Sequence, residues 1–287
     1  MAARDGRIDS RAIGLDVWLA FARWLTGGEH LHYGLWTGLD PTAANLGAAQ
    51  EAYTAHLLSH LPEGDALRIL DVGGGAGATA ASLLARGHAV EIVVPSALLA
   101  ERCRANAPAA TVHPVRFEEF AGTGPFDVIL FSESWQYIPQ DVAFPACARL
   151  LVPGGTLLIA DCFRSENYTG AGRDQVVGGG HRLSAFRAAL ADQSFETVSQ
   201  EDLTEAVAPS IDIEQGLYNV IGHAVTRIDA ELAATRPRQR WVLARALRLA
   251  LSEKRRHRLH RRLMERHRTA EAFARHNRYM LFRLRRA

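Results

Sequence analysis

Asp71, Gly73, Gly75 and Gly77 are the densest chemical signal in the chain. They follow the apolar run Arg68–Val72 and lead into a helix-like stretch from Ala76 to Arg86. A strand-to-helix turn stripped of side chains lets the backbone approach a ligand closely, and the helix N–H groups face it. That is the chemistry of a nucleotide-type binding turn. A second group of chemically able residues stands in Phe131-Ser132-Glu133-Ser134-Trp135-Gln136-Tyr137, at the end of another apolar run. Glu133 and Tyr137 could orient or deprotonate a substrate there, or Glu133 could be a buried carboxyl that serves structure alone. His181, which follows Gly178-Gly179-Gly180, is a further candidate for the same pocket, and Tyr218, Asn219 and His223 are weaker ones.

The elements that must position these groups alternate. Short runs rich in Val, Ile and Leu, each closed by turn residues, predict strands at 68–72, 89–94, 111–115, 126–131 and 156–161. Helical patterns fall between them, which is the rhythm of a parallel sheet. Pro153-Gly154-Gly155 stops one helix and turns the chain into the next strand. Two helical segments, 13–24 and 42–60, precede the sheet. After a glycine-rich loop come a helix at 183–190, a strand at 195–200 and a long helical region to about His276, and the alternation of Tyr279–Leu284 predicts a last strand. The fold class is therefore α/β. Its expected divisions are an N-terminal helical cover over 1–62, a Rossmann-like core over 63–203, a helical cap insertion over 204–277 and a final core strand over 278–287.

From about Leu31 to Phe163 the chain resembles the class I S-adenosylmethionine-dependent methyltransferases, on Ile69-Leu70-Asp71-Val72-Gly73-Gly74-Gly75-Ala76-Gly77 and the late Pro-Gly-Gly turn. Within them it looks most like the branch of cyclopropane-fatty-acid synthases, sterol methyltransferases and tocopherol-type methyltransferases, on His32-Tyr33-Gly34-Leu35-Trp36 and Ala49-Gln50. The resemblance implies a seven-stranded Rossmann-like sheet and S-adenosyl-L-methionine as cofactor. Tyr33 and Gln50 would then hold the cofactor's carboxylate and amine, and Asp71, Gly73, Gly75 and Gly77 would form its turn. Ser132 would lie at the opening of the sheet onto it. Phe117 would stack on the adenine and Glu118 accept a hydrogen bond from it, although Glu118-Glu119 also reads as a solvated turn. Two departures stand out: Val94 occupies the position where such proteins carry a ribose-binding acid, and Arg116 stands where an acid is common. Cyclopropane synthases carry a Glu-His pair about where Gln136-Tyr137 stands, so simple in-line methyl transfer to a small, apolar or lipid-like acceptor is expected rather than ring formation.

The composition is that of a globular protein, with 48% hydrophobic and 22% charged residues. Cys103, Cys147 and Cys162 share no metal-ligand or disulfide spacing, no metal is expected, and a reducing, cytoplasmic setting fits them. The apolar stretch 12–25 is interrupted by Asp16 and Arg23, which makes it an amphipathic helix instead of a membrane span. Residues 236–287 hold 18 Lys and Arg against three Glu, a net +15 that leaves −13 on residues 1–235. Arg245, Arg248, Arg255, Arg256, Arg261 and Arg262 sit among Leu243, Leu247, Leu251, Leu259 and Leu263. Such helices suit an anionic membrane surface, a phosphate group, the protein's own acidic body or that of a second subunit in a homodimer. No RNA-binding module is recognisable, so nucleic acid is not the expected partner. The rival readings are a non-catalytic binding protein on the same fold and an RNA-directed enzyme gripping its substrate through these helices.

Overall fold

A computed structural model describes residues 10–170, 179–266 and 268–287. Seven strands form one sheet: β1 Arg68–Val72, β2 Ala89–Val93, β3 Thr111–His113, β4 Phe126–Ser132, β5 Leu151–Arg164, β6 Phe195–Asp202 and β7 Asn277–Arg286. Their order is β3-β2-β1-β4-β5-β7-β6, with β7 antiparallel to both of its neighbours. The sheet thus reverses direction of growth at β1, which pairs with β2 on one side and β4 on the other. Crossovers leave these strands toward opposite ends of the sheet, so a crevice opens beyond the carboxyl ends of β1 and β4.

Helices α1 Ser10–Thr26 and α2 Leu46–Leu58 precede the sheet. Between the parallel strands lie α3 Ala78–Ala85, α4 Ala97–Asn106 and α5 Gln140–Leu150, and α6 Leu183–Ala191 precedes β6. The strands alternate between two cores, as a sheet covered on both faces requires. Ile69, Val128, Leu130, Tyr279 and Leu281 enter one core. Leu70, Ile129, Phe131, Met280 and Phe282 enter the other, with the fully buried rings of Trp135, Phe144, Phe163 and Phe186.

Between the last two strands in sequence come α7 Thr204–Val207, α8 Pro209–Thr235, α9 Pro237–Ala250, α10 Glu253–Met264 and α11 Ala270–His276. Proline opens α8 and α9, where its missing N–H costs nothing, and Ser252 and Thr269 cap α10 and α11 with their hydroxyls. α8 and α10 cross so closely that a Cβ on Gly222 would stand 2.1 Å from the Leu263 carbonyl oxygen. α9 buries none of its residues, and Trp241 and Leu249 are 65% and 81% exposed.

Some boundaries move. β5 begins at Leu151 rather than Thr156, because Leu151 pairs with Phe126 before the Pro153-Gly154-Gly155 irregularity, where Gly154 takes φ +75°. β3 stops at His113, and Val115 instead donates its amide back to the His113 carbonyl in a turn. Gly172 and Gly178 of the glycine-rich loop lie outside the described residues. Among the described residues, no helix is long and apolar enough to cross a membrane.

Candidate active site

The turn after β1 has the conformation its glycines anticipate. Gly73, Gly75 and Gly77 take φ of +77°, +56° and +89°, values that penalise any side chain. Two of these glycines are also sites of close approach. A Cβ on Gly73 would stand 2.3 Å from Ser134 Cβ, and one on Gly77 would stand 2.9 Å from Cys103 Cα. The turn is braced from outside by Glu29, which accepts from Arg102 through both oxygens, at 3.0 and 2.5 Å, and from Asn106 at 2.7 Å. Asn106 in turn donates to the Ala76 carbonyl at 2.9 Å.

Asp71 is 1% exposed, and its Oδ2 has no hydrogen-bond partner. Burial pushes its carboxyl up to about 7. A Cβ on Gly74 would lie 2.6 Å from that Oδ2, so only glycine leaves room for it. Gln50, on α2, donates its amide to the carbonyls of His30 and His32, at 3.2 and 2.9 Å. Two carbonyl partners fix which end of the amide is nitrogen. Its Oε1 is then a buried acceptor without a partner. Between those two carbonyls sits Leu31, whose side chain comes within 3.4 Å of the Cβ position of Gly75. The glycine turn and the Leu31 segment packed on it thus each adjoin an enclosed, unanswered acceptor, Asp71 Oδ2 and Gln50 Oε1.

Glu133 follows β4 with φ +57°, a left-handed conformation that costs a non-glycine residue about 1–2 kcal/mol. Its Oε1 accepts the Tyr33 amide at 2.8 Å and lies 3.0 Å from the Tyr279 hydroxyl. The Tyr279 and Tyr53 hydroxyls are 2.8 Å apart, and Tyr53 Oη is 3.0 Å from Ser132 Oγ. Residues 53, 132, 133 and 279 thus form one hydrogen-bonded chain. Each hydroxyl has one proton to donate, so when Tyr279 donates to Glu133 the Tyr53 proton must turn toward Tyr279. Burial first, and then the nearby Asp161, raise Glu133 to about 8. Both of its contacts use Oε1, which leaves Oε2 to carry the proton of the neutral acid. Asp161, fully buried in the C-terminal part of β5 opposite Met280, accepts from the amides of Gln136 and Cys162 and is raised by burial to about 7.

Of the other expected residues, Tyr33 packs its ring against Phe273 and Tyr279, both at 6.1 Å between centroids. Val94 is buried in the core, and its amide donates to the His113 carbonyl. Glu91, the nearest acid on β2, is held by Arg68 and His113 at 2.7 and 2.8 Å and faces away from Val94. Phe117 is 5% exposed and lies edge-on to Phe131, whereas Glu118 is exposed. Tyr137 is 55% exposed, outside the Glu133 hydroxyl chain. His181 Nε2 lies 2.9 Å from the Ile138 carbonyl, to which it donates. The structure thus gathers Tyr33, Gln50, Asp71, the glycines, Ser132 and Glu133 around one crevice, and leaves Glu118 and Tyr137 on the surface.

Sequence reasoning missed Tyr53, Tyr279, Asp161 and the docking of the insertion. Ser210 of α8 accepts from the Gly34 amide at 2.9 Å and from Trp36 Nε1 at 2.8 Å, which pins the insertion to the segment over the crevice. Beyond it, Glu214 of α8 binds Arg262 at 3.0 Å and Arg268 at 2.8 Å. The clue for the tyrosines was available: a polar-tipped ring in an otherwise apolar strand or helix face must find a partner when buried.

Comparison with known proteins agrees with this fold. Residues 69–155 match the sequence family described as a methyltransferase domain. No curated protein sequence matches the chain. Among solved structures, the cyclopropane synthase MmaA2 from Mycobacterium tuberculosis is similar at 18% identity and a TM-score of 0.67, over 98% of this chain and 99% of that one. Geranyl diphosphate C-methyltransferase from Streptomyces coelicolor A3(2) is similar at 16% identity and a TM-score of 0.65, over 97% and 98%. The cyclase SpnF is similar at 16% identity and a TM-score of 0.65, over 96% and 94%. The chain is thus a protein of the class I methyltransferase fold, with a methyltransferase domain over residues 69–155.

Proposed function

We propose that this protein transfers a methyl group from S-adenosyl-L-methionine to a small, apolar or lipid-like acceptor. The observation that carries the reading is the pair of enclosed acceptor atoms, Asp71 Oδ2 at the glycine turn and Gln50 Oε1 at the Leu31 segment packed on it. Buried acceptors without partners are rare, and a ligand with a cationic amine answers both. The pyrophosphate of a dinucleotide would instead meet a carboxyl where it needs donors. Tyr33, Gln50, Asp71, Gly73, Gly75 and Gly77 would hold the methionine end of the cofactor. Ser132, Val94, Phe117 and Glu118 would border its nucleoside end. The bound cofactor supplies an electrophilic methyl group.

What the chain contributes is placement and proton handling. In-line transfer needs nucleophile, methyl carbon and sulfur aligned in a site that excludes water. Tyr33, Phe273 and Tyr279 offer apolar walls for the acceptor, with the cap of residues 204–277 closing over them. Glu133 is the group that takes a proton from the acceptor, and Tyr279 and Tyr53 steady it. Tyr137 stands at the rim, and His181 holds the chain after the glycine loop against Ile138. The test is calorimetric binding of S-adenosylmethionine to the wild-type protein and to Asp71→Ala, with S-adenosylhomocysteine formation followed over a panel of apolar acceptors. Equal binding by the two proteins would reject the cofactor site; absence of turnover with intact binding would favour the non-catalytic reading.

The same reading extends to where an apolar acceptor is met. α8 and α9 expose Val220, Ile228, Trp241 and Leu249, next to the cationic side chains of α9 and α10. Apolar anchors ringed by arginine fit an anionic lipid surface. Co-sedimentation with phosphatidylglycerol vesicles, absent with phosphatidylcholine, is expected; concentration-dependent dimers in light scattering without lipid binding would assign the surface to a second copy.

A further inference from the structure

We propose that the groove between α8 and the segment after α10 binds the anionic head group of an amphiphilic acceptor, with Arg268 as its charge partner. That the bound amphiphile is the methyl acceptor rests on the methyl-transfer reading; the anion site itself does not. The groove encloses about 680 Å3 and is lined by Asp212, Gln215, Asn219, Val220, Arg266 and Arg268, among others. Arg268 is 8% exposed, yet only its Nη2 is engaged, by Glu214 Oε2 at 2.8 Å. Its Nε and Nη1 are enclosed and have no hydrogen-bond partner. A guanidinium taken out of water with most of its donors unanswered is costly, and its planar fork matches a carboxylate or phosphate.

Charge in the surroundings agrees. Glu214 is shared between Arg262 and Arg268, and Arg262 also donates to Tyr218 Oη at 2.6 Å. Arg266 adds a third cation on the groove wall. Against the three arginines stand Glu214 and Asp212, and Asp212 Oδ1 accepts the Ala270 amide at 3.1 Å. One positive charge is left over. Asn219 and Gln215 donate to the carbonyls of Leu263 and Arg262, so they shape the groove instead of competing for the ligand.

Tyr33 lies between the two regions: its phenol is in the fields of Glu214 and Arg268 on the groove side and of Glu133 on the crevice side. A head group on Arg268 would thus place an apolar body toward Tyr33, Phe273 and Glu133. This makes Arg268 a specificity residue for acceptors that pair an apolar chain with an acidic end.

The test is calorimetric titration of the full chain with n-octyl phosphate, n-octanol and inorganic phosphate, with S-adenosylhomocysteine as a separate ligand. Octyl phosphate is expected to bind at least tenfold more tightly than octanol or phosphate. Arg268→Gln should lower that affinity at least tenfold, Arg266→Gln severalfold, and Arg268→Lys less than Arg268→Gln. Arg266 is exposed, so its variant keeps the test alive should Arg268→Gln fail to fold. S-adenosylhomocysteine affinity should be unchanged in all three, and its failure to bind the wild-type protein would strike the cofactor reading while leaving the groove to be judged by the phosphate series. Equal affinity for octyl phosphate and octanol, or no loss in Arg268→Gln and Arg266→Gln, would overturn the anion site. Inorganic phosphate binding as tightly as octyl phosphate would assign the groove to free phosphate and overturn the acceptor.

Discussion

Asp71 couples cofactor affinity to pH. In the free protein its carboxyl is raised to about 7 by burial, so near neutrality about half the molecules hold it neutral. A cationic amine binds the ionised form, so affinity should rise as pH increases from 6 toward 8, and fall again only where the amine loses its own proton. Asp71→Asn should flatten this dependence and lower affinity about tenfold or more, both read by calorimetry at several pH values. Glu133 makes the complementary case for turnover. With its carboxyl raised to about 8, it can accept a proton at mildly alkaline pH. Glu133→Gln should lower kcat about a hundredfold and remove the alkaline rise, with S-adenosylhomocysteine binding retained. Unchanged kcat would return Glu133 to a structural role. At this scale Asp71 and the glycines are legible in the sequence, because a tight turn restricts residue type locally. It hid the hydroxyl chain, because Tyr53 and Tyr279 are neighbours only after the last strand has been laid beside β5.

At the scale of elements, the segment from Glu29 to Trp36 is a strap over the crevice, held by three other elements. α4 grips Glu29, α2 grips the carbonyls of His30 and His32, and α8 grips Gly34 and Trp36 through Ser210. A Cβ on Gly34 would stand 2.5 Å from Ala49 Cβ, so the strap lies directly on α2. Ser210→Ala strands two enclosed donors at once, at a cost of about 1–3 kcal/mol each before relaxation. Its expected signature is a lower melting temperature together with a raised KM for the cofactor, because the strap that carries Tyr33 loosens. A lower melting temperature with an unchanged KM would show that the insertion supports the fold without supporting the site. Strands were legible from their apolar runs and closing turns. The strap was legible only in part: its aromatic and glycine residues stood out, but the serine that anchors it lies more than 170 positions away.

Across the whole molecule, the buried titratable groups pull stability in opposite directions with pH. Asp71, Glu133 and Asp161 have folded values of about 7, 8 and 7, all above the unfolded carboxyl range of about 4. Acids raised in this way stabilise the fold fully below about pH 4, and that stability is lost as pH climbs through 7 to 8. His32 acts with the other sign: burial lowers it to about 3, so its neutral ring favours the fold above about 6.5 and that advantage is lost as pH falls. Between pH 6.5 and 8.5 the three carboxyls outweigh His32, whose unfolded ring loses only about its last half proton there, so the protein without cofactor should melt at a lower temperature at pH 8.5 than at pH 6.5. Glu133→Gln removes the group with the highest folded value and should narrow that gap, chiefly by raising the melting temperature at pH 8.5. Scanning calorimetry of both proteins at the two pH values decides it. A gap of the opposite sign, or one that Glu133→Gln leaves intact, would mean that these carboxyls are solvated in solution and that the crevice is open to water before any ligand arrives.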